Sequence, residues 1–251
     1  MKDNYDSIPN LLRRALATQV DLGLGEAIIG RKKSVLPEPQ FGQPEIAKVV
    51  SVMDVFKQPD SESTRPQFGS LVAHQQSICN CLNCPLGQTR NKFVYGVGST
   101  GADLMFIGEA PGADEDRLGE PFVGRAGKLL DKIFEAMKLS RQEVYIANIL
   151  KCRPPGNRDP QPDEMQKCFP YLNEQIKLIQ PKLICALGRI AAQALLKTTT
   201  PLGKLRKQWH DYEGIPMLIT YHPAALLRFQ AYKKDTWEDM QMLLARLDSM
   251  K

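Results

Sequence analysis

Residues 103–112 read Asp103-Leu104-Met105-Phe106-Ile107-Gly108-Glu109-Ala110-Pro111-Gly112. Four apolar residues in unbroken succession, stopped by glycine, are too few for an isolated helix and lack the alternation of a half-exposed strand. They suit a strand buried on both faces. The same signature returns in Val144-Tyr145-Ile146-Ala147-Asn148-Ile149, in Leu183-Ile184-Cys185-Ala186-Leu187 before Gly188, and in Met217-Leu218-Ile219-Thr220. Helical spacing fills the intervals: Arg125–Met137 with Ala126, Leu129, Leu130, Ile133 and Phe134 on one side, Asp163–Ile179 with an acidic first turn, and a helix through Leu196. A short helix opening at Pro223 and a final one over Lys233–Leu247 complete the series. Strands alternating with helices predict an α/β fold of three layers, with a four-stranded parallel sheet between helices.

In such sheets ligands bind beyond the carboxyl ends of the strands. The rule selects Gly108–Gly112, Asn148–Arg153, Gly188–Arg189 and Tyr221–Pro223. Gly108-Glu109-Ala110-Pro111-Gly112 permits close backbone approach to a ligand, although a plain turn at the sheet edge would also explain it. In Pro121-Phe122-Val123-Gly124-Arg125-Ala126-Gly127, Phe122 sits in a loop, better placed to stack on a planar ring than to fill a core. Asn148 carries one donor and one acceptor, the equipment for pairing with a nucleobase edge; a satisfied structural amide is the alternative. His222, ahead of a helix, is open to structural and functional readings alike, and His74 and His210 receive no assignment.

Upstream the chain changes character. Leu11, Leu12, Ala15, Leu16 and Val20 predict a short amphipathic helix within 7–24, and a Pro-rich stretch over 31–65 reads as a tether. A short helix over Gly69–Ile78 then leads to the cysteines. The expected division is an N-terminal extension at 1–70 and a catalytic domain at 71–251. Charge follows the same division: residues 1–70 hold nine basic and nine acidic side chains, and the net charge of +5 lies entirely in the remainder. A basic surplus there permits nucleic-acid binding without requiring it. The start of the chain has neither a basic, apolar leader nor a run long enough to span a membrane, so the expectation is a cytoplasmic protein.

Six cysteines without an export signal favour metal ligation or burial over disulfides. Cys81 and Cys84 form one C-x-x-C turn, and Cys152 and Cys168 have fifteen residues between them. A helix-like segment before the turn and Pro85 after it disfavour a redox pair. Spacing alone leaves zinc and a [4Fe–4S] cluster level. Cys185, in mid-strand, reads as core, and Cys79 is a weaker ligand candidate than Cys81.

Taken together, these motifs resemble the family 4, iron–sulfur uracil-DNA glycosylases. The resemblance rests on Cys81-x-x-Cys84-Pro85-Leu86, Gly108-Glu109-Ala110-Pro111-Gly112, Pro121-Phe122-Val123-Gly124-Arg125-Ala126-Gly127, Lys151-Cys152-Arg153-Pro154-Pro155-Gly156-Asn157-Arg158, Cys168 and His222-Pro223. It runs from about Leu71 to about Leu247. It implies a [4Fe–4S] cluster on Cys81, Cys84, Cys152 and Cys168, bracing DNA-facing loops, and so tips the balance away from zinc. It implies hydrolysis of the glycosidic bond of deoxyuridine in single- or double-stranded DNA, the nucleotide being flipped out of the stack. Phe122 would stack on the base, Asn148 would pair with its N3–H and O4, and Ala110, Gly112 and Glu115 would line the pocket, Glu115 helping to exclude the methyl of thymine.

By the same resemblance, His222 donates to uracil O2 as the base departs, and Glu109 orients water or stabilises the sugar cation. Leu226 or Leu227 wedges into the vacated stack, one helical turn packed on the core being the alternative, and Arg228 meets phosphate. Many relatives carry Ser where Ala224 stands, and the loop Arg153–Gln161 lacks the histidine of a related group that bonds covalently to uracil-DNA, so ordinary turnover is expected. The partner implied is uracil-containing DNA, and a monomer is expected. The extension lies outside the resemblance, and its Pro-rich stretch reads as a solvated linker, with a docking peptide for a repair or replication protein as the alternative.

Overall fold

The computed structural model describes residues 67–250. The helix expected within 7–24 and the tether expected over 31–65 lie outside the described residues. In chain order the elements are α1 (Leu71–Ile78), α2 (Leu86–Thr89), β1 (Val97–Gly98), β2 (Leu104–Gly108), α3 (Ala113–Leu118), α4 (Arg125–Ala136) and β3 (Tyr145–Asn148). There follow α5 (Pro162–Ile179), β4 (Leu183–Leu187), α6 (Arg189–Leu196), α7 (Leu202–Leu205), β5 (His210–Tyr212), β6 (Ile215–Thr220), α8 (Pro223–Arg228) and α9 (Tyr232–Asp248).

The sheet has six strands in the order β1-β3-β2-β4-β6-β5. Its centre, β3-β2-β4-β6, is the expected four-stranded parallel array. The pleat sends alternate residues to opposite layers. Met105, Ile107, Tyr145, Ala147, Ile184, Ala186, Met217 and Ile219 share one core with α5 and α6, through Leu172, Ile176, Ala191 and Leu195. Leu104, Phe106, Ile146, Leu183, Cys185 and Leu218 face the other, packed on Leu130 and Phe134 of α4 and Met240 and Leu243 of α9. Every residue of β2, β3 and β4 is buried, which is why these strands are written as continuous apolar runs. Cys185 is core, fully inaccessible.

The sequence reading omitted the two borders. β1 has two residues and β5 three, both antiparallel to their neighbours. β5 joins β6 through Glu213 and Gly214, at φ 52° and 88°, a two-residue hairpin of the kind that left-handed backbone favours. His-Asp-Tyr carries no apolar signature, and Pro216 in β6 hides the start of that strand. Short edges also blunt the open hydrogen-bonding rows of the sheet.

Candidate active site

The carboxyl ends of the parallel strands converge on one side of the sheet. Gly108 pairs in register with Asn148, and Leu187 with Thr220. Ile149 N–H donates to Gly108 O at 2.9 Å and Leu150 N–H to Glu109 O at 3.0 Å, carrying the pairing into the loops. Gly108 is glycine for a local reason. A Cβ there would lie 2.4 Å from Asn148 Oδ1 and 2.6 Å from the Phe122 ring, too close for either to remain. The Asn148 amide and the Phe122 ring therefore meet over the bare end of β2.

Asn148 is 2% exposed, and its Oδ1 has no hydrogen-bond partner. A buried acceptor left so costs about 1–3 kcal/mol, a cost that a bound N–H group would lift. The other unpartnered buried oxygen among the described residues is Asp239 Oδ1, whose sister oxygen accepts from Arg206 at 2.9 and 2.7 Å and from Thr220 Oγ1 at 2.7 Å. Asp239 is thus already occupied, whereas Asn148 is not.

His222 follows β6. Its ring lies 5.5 Å from that of Phe122, centroid to centroid, tilted by 31°. Gly188, at φ 92°, lets the end of β4 approach; a Cβ there would fall 2.8 Å from His222 Cβ. Ala224 N–H donates to His222 Nδ1 at 3.1 Å. With Nδ1 accepting, the proton of the neutral ring belongs on Nε2. His222 keeps some surface to solvent although protein crowds it on most sides, and that burial pushes its imidazole down to about 4, the Glu115 carboxylate opposing the fall. At neutral pH it is an uncharged donor.

The backbone entering His222 is held from below. The Arg206 guanidinium lies 4.0 Å over the Tyr221 ring, which stacks on Tyr232 at 4.1 Å and 6°.

Glu109 stands beside a surface ion pair, Arg189 to Asp159 at 2.6 Å. Burial pushes its carboxyl up to about 7, Asp159 adding to the rise and Arg189 opposing it. Glu115 opens the first turn of α3, and both of its oxygens are engaged. One accepts from Gly112 N–H at 3.1 Å, the other from Val123 and Gly124 N–H at 2.9 Å each. The carboxylate clamps the Gly112 turn to the loop that carries Phe122.

The remaining expected residues divide. Ala110 packs toward the cysteines with Leu150 and Cys152. Leu226 corrects its half of the wedge expectation: it is 2% exposed, turned into the protein, whereas Leu227 is 38% exposed. Adjacent residues on a helix point in different directions, so one leucine can be buried and the next exposed, and the pattern alone did not say which. Arg228 is exposed, as is Phe229, which the sequence reading passed over. His74 bonds Tyr95 at 2.9 Å and His210 bonds Leu205 O at 2.7 Å, both structural.

Cys81, Cys84, Cys152 and Cys168 wall one cavity with Asn83, Gly87, Phe93, Lys167 and Tyr171. Donors already aim at the sulfurs: Tyr171 Oη at 3.1 Å and Asn83 N–H at 3.4 Å to Cys81, Lys151 N–H at 3.3 Å to Cys168, and Arg90 at 3.5 Å to Cys152. Burial pushes the Cys152 thiol up to about 11 and that of Cys168 up to about 12. Lys151, fully buried, donates from Nζ to Asn148 O at 2.9 Å and to Gln175 Oε1 at 2.5 Å, joining the base-reading strand to the cysteine wall. Sequence reasoning quoted Lys151 without a role, because nothing in the chain announces a lysine whose charge is spent on a main-chain carbonyl.

Beyond the ends of the parallel strands an aromatic ring, an amide with an unpaired oxygen and a neutral imidazole stand together, groups able to hold a flat polar ring. The chain belongs to the uracil-DNA glycosylase superfamily, whose family description, "Uracil DNA glycosylase superfamily", matches residues 95–241. It is similar to the type-4 uracil-DNA glycosylase of Archaeoglobus fulgidus, at 44% identity over 160 residues covering 61% of this chain and 80% of that protein. To the type-4 enzyme of Saccharolobus solfataricus it is 43% identical over 181 residues, covering 68% and 84%. To that of Pyrobaculum aerophilum it is 40% identical over 176 residues, covering 66% and 88%.

Proposed function

We propose that this uracil-DNA glycosylase holds an extruded uracil between Phe122, Asn148 and His222 and hydrolyses the bond joining it to the sugar. Water adds to C1′ and gives up one proton, the N1–C1′ bond breaks, and uracil departs as an anion with the bonding electron pair. The released proton passes to that anion or to the medium, and an abasic site remains in the strand. The observation that carries the reading is the unpartnered, buried Oδ1 of Asn148 beside the Phe122 ring. That oxygen accepts from uracil N3–H while the amide N–H donates to O4. Cytosine presents the inverse pattern and leaves both groups mispaired, a strong basis for rejection. His222 donates a hydrogen bond from its Nε2–H to O2, where negative charge gathers as the base leaves. Glu109, as the anion, orients the water or steadies the cationic sugar. Glu115, fixed by three backbone N–H groups, walls the side on which the methyl of thymine would press.

On the DNA side, Leu227 enters the vacated stack and Arg228 meets phosphate. Among the described residues no helix is long and apolar enough to cross a membrane. The monomeric state, the boundary near residue 70 and recruitment of a repair or replication partner by the extension belong to the same proposal.

Cys81, Cys84, Cys152 and Cys168 are proposed to hold a [4Fe–4S] cluster. The four thiols wall a common cavity, a donor set as suited to iron–sulfur ligation as to zinc, and the similarity to the type-4 enzymes favours the cluster. Such a cluster would contribute cross-linking, tying the Cys81–Cys84 turn to the loop after β3 and to α5. The test offers single-stranded and duplex uracil oligonucleotides to the purified protein and measures released base, with iron content and visible absorbance read in parallel. Release of uracil by a brown, iron-containing protein is expected. No release, from either substrate, would refute the proposal.

A further inference from the structure

Phe122 has a backbone that phenylalanine rarely adopts. Its φ is 55°, in the left-handed region. The other non-glycine residues with positive φ (Lys138, Asn157, Gln180, Lys197, Lys207 and Glu213) are polar and exposed, at helix ends and turns where that conformation is common. Phe122 is aromatic and 5% exposed. Although set in a loop, it belongs to the core cluster of Phe106, Leu130 and Phe134, which corrects the expectation that it would not serve as core. Backbone strain of this kind persists only where surrounding structure enforces it.

Arg141 supplies the enforcement. It lies in the connection between α4 and β3, remote in sequence from any motif. Its Nη2 donates to Pro121 O at 2.6 Å and its Nη1 to Phe122 O at 3.1 Å, gripping both carbonyls around the strained residue. Nη1 also meets Asp131 of α4 at 2.8 Å, which fixes the plane of the guanidinium. From the far side, Gly127 admits the loop: a Cβ there would come within 1.8 Å of Phe122 O.

We propose that Arg141, oriented by Asp131, is a positioning residue that holds Phe122 in its left-handed conformation and so keeps the ring flat against the base. The inference rests on the reading of Phe122 as the stacking residue. Only a planar fork can serve two neighbouring carbonyls and a carboxylate together, so lysine is a poor replacement. The grip also links the ring's loop to the connection feeding β3, the strand that ends in Asn148. Stacking ring and reading amide are thereby set in one frame.

The test is a double-mutant cycle on uracil release from a single-stranded oligonucleotide by the full-length protein, with melting temperature recorded for each variant. R141M is expected to lower kcat/KM about tenfold to a hundredfold, with R141K recovering only part of it. In an F122A background the same exchange should cost less than about threefold, because the ring it positions is gone. A structural role alone would lower melting temperature and act alike in both backgrounds. Equal losses with and without the ring would overturn the inference. Should R141M fail to fold, D131N carries the same cycle. Should the wild-type protein release no uracil, the functional reading fails, and a crystal structure of R141M, or of D131N if R141M does not fold, decides the matter separately. Phe122 displaced from its left-handed φ supports the inference, and Phe122 unmoved overturns it.

Discussion

Acidifying the medium through neutrality should shut the enzyme down by way of Glu109. In either role assigned to it the side chain must be a carboxylate, since a protonated carboxyl neither draws a proton from water nor balances a cationic sugar. Burial beside Asp159 moves its midpoint from 4.5 to about 7. About a tenth of the protein then carries the anion at pH 6 and about a hundredth at pH 5, so kcat/KM, which reports the free enzyme, should fall tenfold per unit below 7. His222, titrating near 4, stays neutral across that range. The assay is base release at fixed ionic strength from pH 5 to pH 9, on a single-stranded substrate. D159N, which removes a neighbouring negative charge, should move the midpoint down, by about half a unit. Folding supplies a second reading with a definite sign. Between pH 4.5 and 7 the folded protein keeps a proton that the unfolded chain has released, so its stability falls as pH rises through that window. E109Q should therefore be inactive yet more stable than the parent at pH 8, by about 1–2 kcal/mol after allowance for solvent screening, and no more stable at pH 4. A rate flat down to pH 5, or a midpoint that rises in D159N, would refute this account of Glu109.

Three further outcomes are expected. H222A should lower kcat about a hundredfold to a thousandfold while DNA affinity stays within a few fold, as gel-shift and single-turnover measurements together will show; equal losses in both would remove His222 from the reaction. N148D exchanges the amide's donor for an acceptor and should shift preference away from uracil, which competition between uracil- and cytosine-bearing oligonucleotides measures; an unchanged ratio contradicts its role as reader. L226A should cost about 2–5 kcal/mol of stability, as cavities in cores do, whereas L227A should leave the melting temperature in place and slow excision from duplex more than from single strands.

The four central strands were legible because each is buried on both faces and so carries an unbroken apolar run, with its chemistry displaced to the residue that ends it. Asn148, Gly108 and His222 were visible for the same reason: each stands where a strand stops. The borders were not, since Val97–Gly98 and His210–Tyr212 are stabilised by pairing and a turn rather than by composition. Choosing between Leu226 and Leu227 required the rotation of one short helix, which two adjacent leucines do not encode. Arg141 was beyond reach for a deeper reason. It acts on carbonyl oxygens that every residue possesses, so nothing in Ser140-Arg141-Gln142-Glu143 marks its target. Glu115 entered only through the resemblance, and its attachment to the N–H groups of Val123 and Gly124 became visible only once α3 had turned toward that loop.

The Ala224 N–H that fixes the His222 tautomer has an implication for fidelity. In the proposed mechanism the leaving-group donor is set before any DNA arrives, and it addresses an oxygen that cytosine and thymine share with uracil. His222 would then not tell legitimate bases from the lesion. Proofreading would fall to Asn148 and Glu115, so a variant loosened at those two residues would become a mutator rather than an idle enzyme.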